Sequence, residues 1–182
     1  MEIANKVESK SNPRIYVACL SAYNAGTLHG SWIDANQDAE DIYEEIKEML
    51  SESPEPAAEE WAIHDFEGFG SFRLAEYEDI ETVAALARLI DEFGEMVAST
   101  VWGHVSSNAD EARRLLEECY QGAWDSLEAY AEELLEGSGD LDQVPDHLRH
   151  YIDVESYARD LELGGDVFTV EEGTSIHVFW GR

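Results

Sequence analysis

Hydrophobic and polar residues alternate over residues 14–23 and again over residues 27–34, and a short segment ending at Gly26 separates the two stretches. Alternation with a period of two is typical of a strand that buries one face, and a glycine-containing break is typical of a hairpin turn. The pattern therefore predicts an antiparallel β-hairpin. Residues 60–66 can return as a third strand of the same sheet.

A helical period follows the predicted hairpin. Apolar residues lie three and four positions apart between residues 42 and 50, and acidic residues occupy most positions between them. This spacing predicts an amphipathic helix with one apolar stripe. Asp34 or Asn36 is the predicted N-cap, and the proline-containing segment 51–56 is predicted to end the helix.

The central part of the chain changes to a helical period between residues 79 and 118. Gly94 and Gly103 interrupt the run, so we expect two or more short helices here, the second of them beginning near Ser107 or Asn108. The change of period places a domain boundary near residue 77.

The last third contains the strongest helical pattern, with apolar residues at i, i+3, i+4, i+7 and i+8 from Leu127. Asp125 or Ser126 is the predicted N-cap, and Gly137 is predicted to stop the helix. We expect a short helix over residues 157–161. Residues 166–170 and 175–180 then predict a terminal β-hairpin.

These periods predict an α+β fold. A small antiparallel sheet with one helix comes first, a group of short helices second, and a helical segment with the terminal hairpin third. The predicted division is a disordered tail over residues 1–12, an N-terminal α+β domain over 13–77, a central helical domain over 78–118 and a C-terminal α+β domain over 119–182.

The net charge of the chain restricts the expected partners and shape. The chain contains 41 acidic and 11 basic residues, which gives a formal charge of −30 at pH 7. A DNA-binding surface needs Lys and Arg to release counterions, so direct binding to nucleic acid is not expected and any macromolecular partner should be basic. Thirty charges correspond to about 51 Å of duplex DNA, whereas a compact chain of this length has a diameter of about 40 Å. This comparison suggests an elongated shape with a DNA-like charge density.

Hydrophobic residues make up 44% of the chain, above the range of acidic disordered segments, so the chain is expected to fold. No apolar run approaches the roughly 18 residues of a membrane span, and residues 1–12 contain no signal-peptide core. We therefore expect a cytoplasmic protein with no membrane contact. Cys19 and Cys119 form no CxxC pair and are expected to pack in cores. A halophile-type acidic surface, or solubility alone, is an alternative explanation of the charge.

Motifs for catalysis or ligand binding are incomplete. The glycine-containing segment 68–73 lacks the third glycine of a dinucleotide-binding loop, and no P-loop lysine follows a glycine run. His147 and His150 lack the further ligands of a metal site, and His64 beside Asp65 has no serine in a nucleophile elbow. The sequence predicts no catalytic residue, no metal site and no cofactor.

Several longer segments resemble the ArdA family of antirestriction proteins. They are Tyr16-Val17, YNAGTLHGSWID at residues 23–34, EWAIHDFEGF at residues 60–69, Tyr120 with WDSLEAYAEELLE at residues 124–136, residues 145–161, and HVFW at residues 177–180. The resemblance extends in order over about residues 14–180. Only the first twelve residues fall outside it.

The resemblance implies a non-enzymatic DNA mimic that inhibits type I restriction-modification enzymes and protects incoming mobile DNA. It implies an elongated, curved, three-domain homodimer whose carboxylates stand where duplex phosphates would lie. Such a dimer would occupy the DNA groove of the methylase core and block both restriction and modification. The alternatives are a general acidic module that binds basic proteins and, more remotely, a small hydrolase.

The outward acidic residues of the two amphipathic helices are the candidate phosphate mimics. They are Asp125, Glu128, Glu132, Glu133 and Glu136 on the helix of the matched segment, and Glu40, Asp41, Glu44, Glu45 and Glu48 on the N-terminal helix. Tyr120 and Trp124 are candidates either for core packing or for the two-fold contact of the dimer. Because mimicry is a property of the array, we expect single substitutions to matter little.

Overall fold

The computed structural model describes residues 12–56 and 58–181. These residues form a mixed α+β fold with eight α-helices and two antiparallel three-stranded sheets, which confirms the predicted fold class. The predicted tail, apart from Asn12, lies outside the described residues. By its contacts the chain divides into two compact units, residues 1–112 and residues 113–182. The division into three domains stays a prediction.

The sheet of the first unit consists of β1 (Arg14–Cys19), β2 (Gly30–Asp34) and β3 (Trp61–Glu67) in the order β2-β1-β3. β1 pairs with both neighbours in antiparallel orientation, and Ile15 lies opposite Ile33. Both isoleucines are buried. The three predicted strands are thus present in one sheet.

The connection between β1 and β2 differs from the predicted tight hairpin. The chain forms a short helix, α1 (Leu20–Asn24), where the sequence pattern continued the strand to Tyr23. The N–H groups of residues 25–27 donate to carbonyls of residues 21–23, and Gly26 has a φ of 82°. Glycine adopts a positive φ without steric cost, so this segment closes as a helical turn.

The helix α2 (Ala39–Ser51) packs against β1, β2 and a following helix. The predicted caps are wrong, because Asp38 occupies the N-cap position. Asp34 instead accepts the N–H of Asn36 at 2.8 Å and forms a turn ahead of the helix. The buried stripe of α2 is Ile42, Ile46 and Met49.

Two helices, α3 (Ile80–Phe93) and α4 (Glu95–His104), pack against each other. Gly94, with a φ of 94°, separates them as predicted. Gly103 does not interrupt a helix, because α4 continues through it to His104. The central segment is therefore helical, but only one of its two glycines is a break.

The next helix, α5 (Ala109–Arg114), begins where the sequence predicts. The Asn108 side chain accepts the N–H of Glu111 at 3.0 Å, which satisfies one of the unpaired donors of the first turn. A single π-helical turn, Leu115–Cys119, follows and leads into the second sheet.

The sheet of the second unit consists of β4 (Tyr120–Trp124), β5 (Val167–Glu172) and β6 (Ser175–Trp180) in the order β4-β6-β5. The β5–β6 pair is the predicted terminal hairpin, which is confirmed. β4 was not predicted. It has five residues, Gly122 has a φ of 107°, and the pairing register shifts between Tyr120 and Gly122. A bulged strand this short lacks a readable alternation.

Helices α6 (Leu127–Ser138) and α8 (Val154–Gly164) pack together and cover one face of this sheet. Of the two predicted N-caps, Asp125 and Ser126, the structure selects Ser126, whose side chain accepts the N–H of Ala129 at 3.2 Å. Gly137 does not end α6. The helix continues to Ser138 and ends at Gly139, which has a φ of 77°.

A 3₁₀ turn, Leu141–Gln143, and a short helix, α7 (Asp146–Arg149), connect α6 to α8. α8 is longer than the predicted segment 157–161 because Asp153 caps it. The core of the second unit is Tyr130, Ala131, Ala158, Leu161, Val167 and Val178.

The cap of α8 makes stability depend on pH. The Asp153 carboxylate accepts the N–H of Ser156 at 3.0 Å and its hydroxyl at 2.7 Å. These hydrogen bonds favour the ionised form and lower the pKa of Asp153 below its usual value. The ionised cap therefore stabilises the fold above the ordinary aspartate pKa, and this contribution is lost as pH falls through the lower, folded-state pKa.

We expect Asp153→Ala to lower the melting temperature near neutral pH, and the gap from the wild type to narrow as the cap is protonated. Thermal unfolding followed by circular dichroism from about pH 7 to about pH 2 measures this gap across the usual aspartate range. Asp160→Ala, at an exposed position of α8, is the control. A gap for Asp153→Ala that keeps its size in acid would contradict the assignment.

Candidate partner-binding surface

The first candidate surface is the solvent side of α2. The apolar stripe of this helix is buried in the first unit, so the intervening positions point outward. Five acidic residues there are exposed: Glu40, Asp41, Glu44, Glu45 and Glu48. All five predicted positions of this helix are therefore accessible, and their role in binding stays a prediction.

The second candidate surface lies on α6 in the second unit. Tyr130 and Ala131 are buried and fix which side of the helix faces the core. The acidic residues Asp125, Glu128, Glu132, Glu133 and Glu136 are exposed. The helical period thus separates the core-facing residues from the carboxylates, as it does on α2.

The spacing of the carboxylates can be compared with DNA. The five acids of α2 span residues 40–48, and the four acids within α6 span residues 128–136. Each span has a rise of about 12 Å, which gives one carboxylate per about 3 Å on α2 and per about 4 Å on α6. Each strand of B-DNA carries one phosphate per about 3.4 Å of axis. The carboxylates of each helix face therefore have roughly the linear spacing of the phosphates of one DNA strand.

The spans of the two faces contain one basic residue, Lys47, which is exposed on α2. Among the described residues, none of the ten candidate carboxylates forms an ion pair. The arginines pair with other acids instead, as Arg14 does with Glu67 at 2.7 Å and Arg88 with Asp38 at 2.5 Å. The charge of the two faces therefore remains available to a partner.

Two pKa shifts describe the local electrostatics. A hydrogen bond from its own backbone N–H and one from Ser126 lower the pKa of Glu128, which keeps this carboxylate ionised. On the other helix, burial raises the pKa of Tyr43, and the negative charges of Glu81 and Asp79 raise it further. Both shifts agree with a surface that stays strongly negative at neutral pH.

Tyr120 and Trp124 lie on β4 and make contacts within the second unit. The Tyr120 hydroxyl is 2.9 Å from Nδ1 of His177, and its ring centre is 5.2 Å from that of Phe179. The Trp124 ring lies 5.4 Å from Tyr130. Both aromatic residues remain partly exposed. Their proposed place at a dimer contact stays a prediction.

A polar network centred on the buried His177 was missed by the sequence analysis. His177 is 5% exposed and contacts Tyr120 through Nδ1 and the Glu172 carboxylate through Nε2. Burial beside the carboxylate of Glu172 raises the pKa of Tyr120, so this hydroxyl stays protonated. These hydrogen-bonded side chains could not be predicted from the sequence, because they meet only when β4 pairs with β6.

The structure places the glycine-containing segment and the two histidines that the sequence analysis considered for ligand or metal binding. In the glycine-containing segment, the N–H of Gly70 donates to the Glu95 carboxylate at 3.0 Å. His147 and His150 are exposed, and within residues 12–56 and 58–181 no group of three potential ligands is placed to hold a metal ion. No helix in this part of the chain is both long and apolar enough to cross a membrane.

A family model described as antirestriction protein (ArdA) matches residues 15–175 of the 182. A search of curated proteins found no match. The family match includes both acidic helices, nearly all of β1, the whole of β2 to β5, and only the first residue of β6. The chain belongs to the ArdA family of antirestriction proteins.

Proposed function

We propose that this protein is a DNA mimic that occupies the DNA-binding groove of a type I restriction-modification enzyme. One observation carries the proposal: two helix faces present carboxylates at about the linear spacing of the phosphates of a DNA strand, and these carboxylates form no ion pair with another described residue. Membership of an antirestriction family gives this array a biological target. The groove of such an enzyme must be basic, because it binds phosphates.

Binding would depend on the same electrostatic attraction as protein–DNA association, with this protein in the place of the DNA. Carboxylates replace phosphates at the enzyme's Lys and Arg residues, and opposite charge accelerates the encounter. An occupied groove admits no DNA, so cutting and modification stop together. No bond is made or broken, and the mechanism requires no catalytic residue and no cofactor. A homodimer would extend the array over a longer stretch of groove.

Direct competition tests the proposal. We expect the protein to displace labelled duplex DNA from a purified type I methylase core at near-stoichiometric concentration. The affinity of the protein for the core, derived from the competition with the salt dependence of DNA binding measured separately, should fall as salt rises, because exposed charge pairs are screened beyond about 10 Å at about 0.1 M salt. Fluorescence anisotropy of the labelled duplex across a salt series provides the measurement.

Polyglutamate of equal total charge is the control for charge without geometry. It should displace DNA only at far higher concentration. Equal potency of the two would reduce the protein to a general acidic module, and a lack of displacement would overturn the proposal.

Combined substitution tests the array itself. Changing Glu128, Glu132, Glu133 and Glu136 together to Gln should weaken binding about 100-fold, because four exposed charge pairs of up to about 1 kcal/mol each are lost. Glu132→Gln alone should change affinity by less than about threefold. The substitutions should not unfold α6, because Glu and Gln have similar helix propensities and i,i+4 repulsion is relieved.

The matched control changes four exposed acids elsewhere in the same unit to their amides: Glu155, Asp160, Asp166 and Glu171. Total charge falls equally in both variants. Equal losses of affinity would therefore show that the location of the carboxylates on α6 does not matter.

A further inference from the structure

A cavity of about 390 Å³ lies in the second unit between α6 and β4. Trp124, Tyr130 and Leu134 line its apolar part, and Gln121 and Glu133 contribute polar groups. Gly137 completes its wall. This is enough space for one large side chain, and none of the features described above uses it.

Gly137 keeps the cavity open although its backbone does not need glycine. It lies within α6, its φ is not positive, and a Cβ built there meets no atom within 4 Å. Glycine in a helix costs about 0.5–1 kcal/mol relative to alanine. Neither the backbone conformation nor contacts within the protein require glycine at this position. A glycine here leaves space for a side chain of a partner.

The lining indicates which group fits. Trp124 offers the aromatic ring that attracts cations most strongly, and the Glu133 carboxylate is exposed and has no ion pair in the described part of the chain. An aromatic wall beside an exposed carboxylate suits a planar cation with several N–H donors.

The first unit contains this arrangement with its own arginine. The guanidinium carbon of Arg14 lies 4.7 Å from the centre of the Trp32 ring, and the same group binds Glu67 at 2.7 Å. Trp124 and Glu133 provide the same two kinds of partner, but no arginine of the described residues lines the cavity.

We propose that this cavity binds an arginine side chain from the basic partner, with the guanidinium against Trp124 and paired with Glu133. The inference rests on the proposed function, because the partner is the restriction-modification enzyme. The cavity then gives the protein one shape-dependent contact within an otherwise diffuse charged surface. Lysine fits less well, because its ammonium group is compact and strongly hydrated and cannot stack.

Filling the cavity tests the proposal without changing charge. Gly137→Leu should weaken binding to the methylase core about tenfold, the combined loss expected for a solvent-accessible cation–π contact and its exposed ion pair. Gly103→Leu is the matched control, since Gly103 is also a helical glycine with open space around its Cβ. Both variants should fold, because leucine is a better helix former than glycine. Equal affinity of Gly137→Leu and Gly103→Leu would overturn the inference.

A second pair of variants tests the carboxylate. Glu133→Gln should weaken binding about tenfold, and Glu132→Gln, one position away on the same helix but outside the cavity, by less than about threefold. Sedimentation of Gly137→Leu tests whether the cavity is occupied by a second copy of the chain. Loss of a dimer in this variant would assign the cavity to a second copy of the chain and reject the arginine.

A titration without the enzyme separates this inference from the proposed function. N-acetyl-arginine amide should shift the indole N–H signal of Trp124 in an NMR spectrum, and N-acetyl-norleucine amide should not. The shift should be absent in Gly137→Leu and present in Gly103→Leu. Failure of the wild type to displace DNA would overturn the proposed function alone, whereas equal shifts with both amides, or none with arginine, would overturn the arginine site.

Discussion

Electrostatic self-repulsion is the constraint under which this fold has to form. A formal charge of −30 opposes compaction, and the described ion pairs leave the carboxylates of the two helix faces uncompensated. Burial of apolar side chains must therefore outweigh the repulsion within each unit. The same burial orients the charges, because the stripe of α2 and the pair Tyr130 and Ala131 on α6 determine which side of each helix faces water.

The few basic residues serve the fold. Arg14 binds Glu67 through Nε and Nη2, which joins the ends of β1 and β3, and Arg88 of α3 binds Asp38 at the start of α2. Such exposed pairs each contribute little to stability. Their position matters more, because they neutralise acids outside the two candidate faces. Charge is thereby removed where elements meet and kept where a partner can approach.

The sequence predicts those parts of the fold that local period and capping determine. The α+β class, the terminal hairpin and a cap of α6 at Asp125 or Ser126 follow from spacing alone. β4 does not, because its five residues are bulged at Gly122 and acquire a strand conformation only by pairing with β6. The exposure of the ten acids could be predicted from the helical stripe. The cavity could not, because Gly137 resembles a helix end in sequence and only the continuation of α6 to Gly139 shows otherwise.

Charge density and shape make different demands on α6. An array of exposed carboxylates attracts any basic surface, tolerates the loss of one member and weakens uniformly with salt, so by itself it discriminates poorly among partners. A cavity of defined shape accepts one kind of side chain and loses its contribution when filled. If only charge were needed, alanine at position 137 would give a more stable helix with the same carboxylates. The open position beside Glu133 therefore points to a requirement for shape, met on the same helix that carries the array.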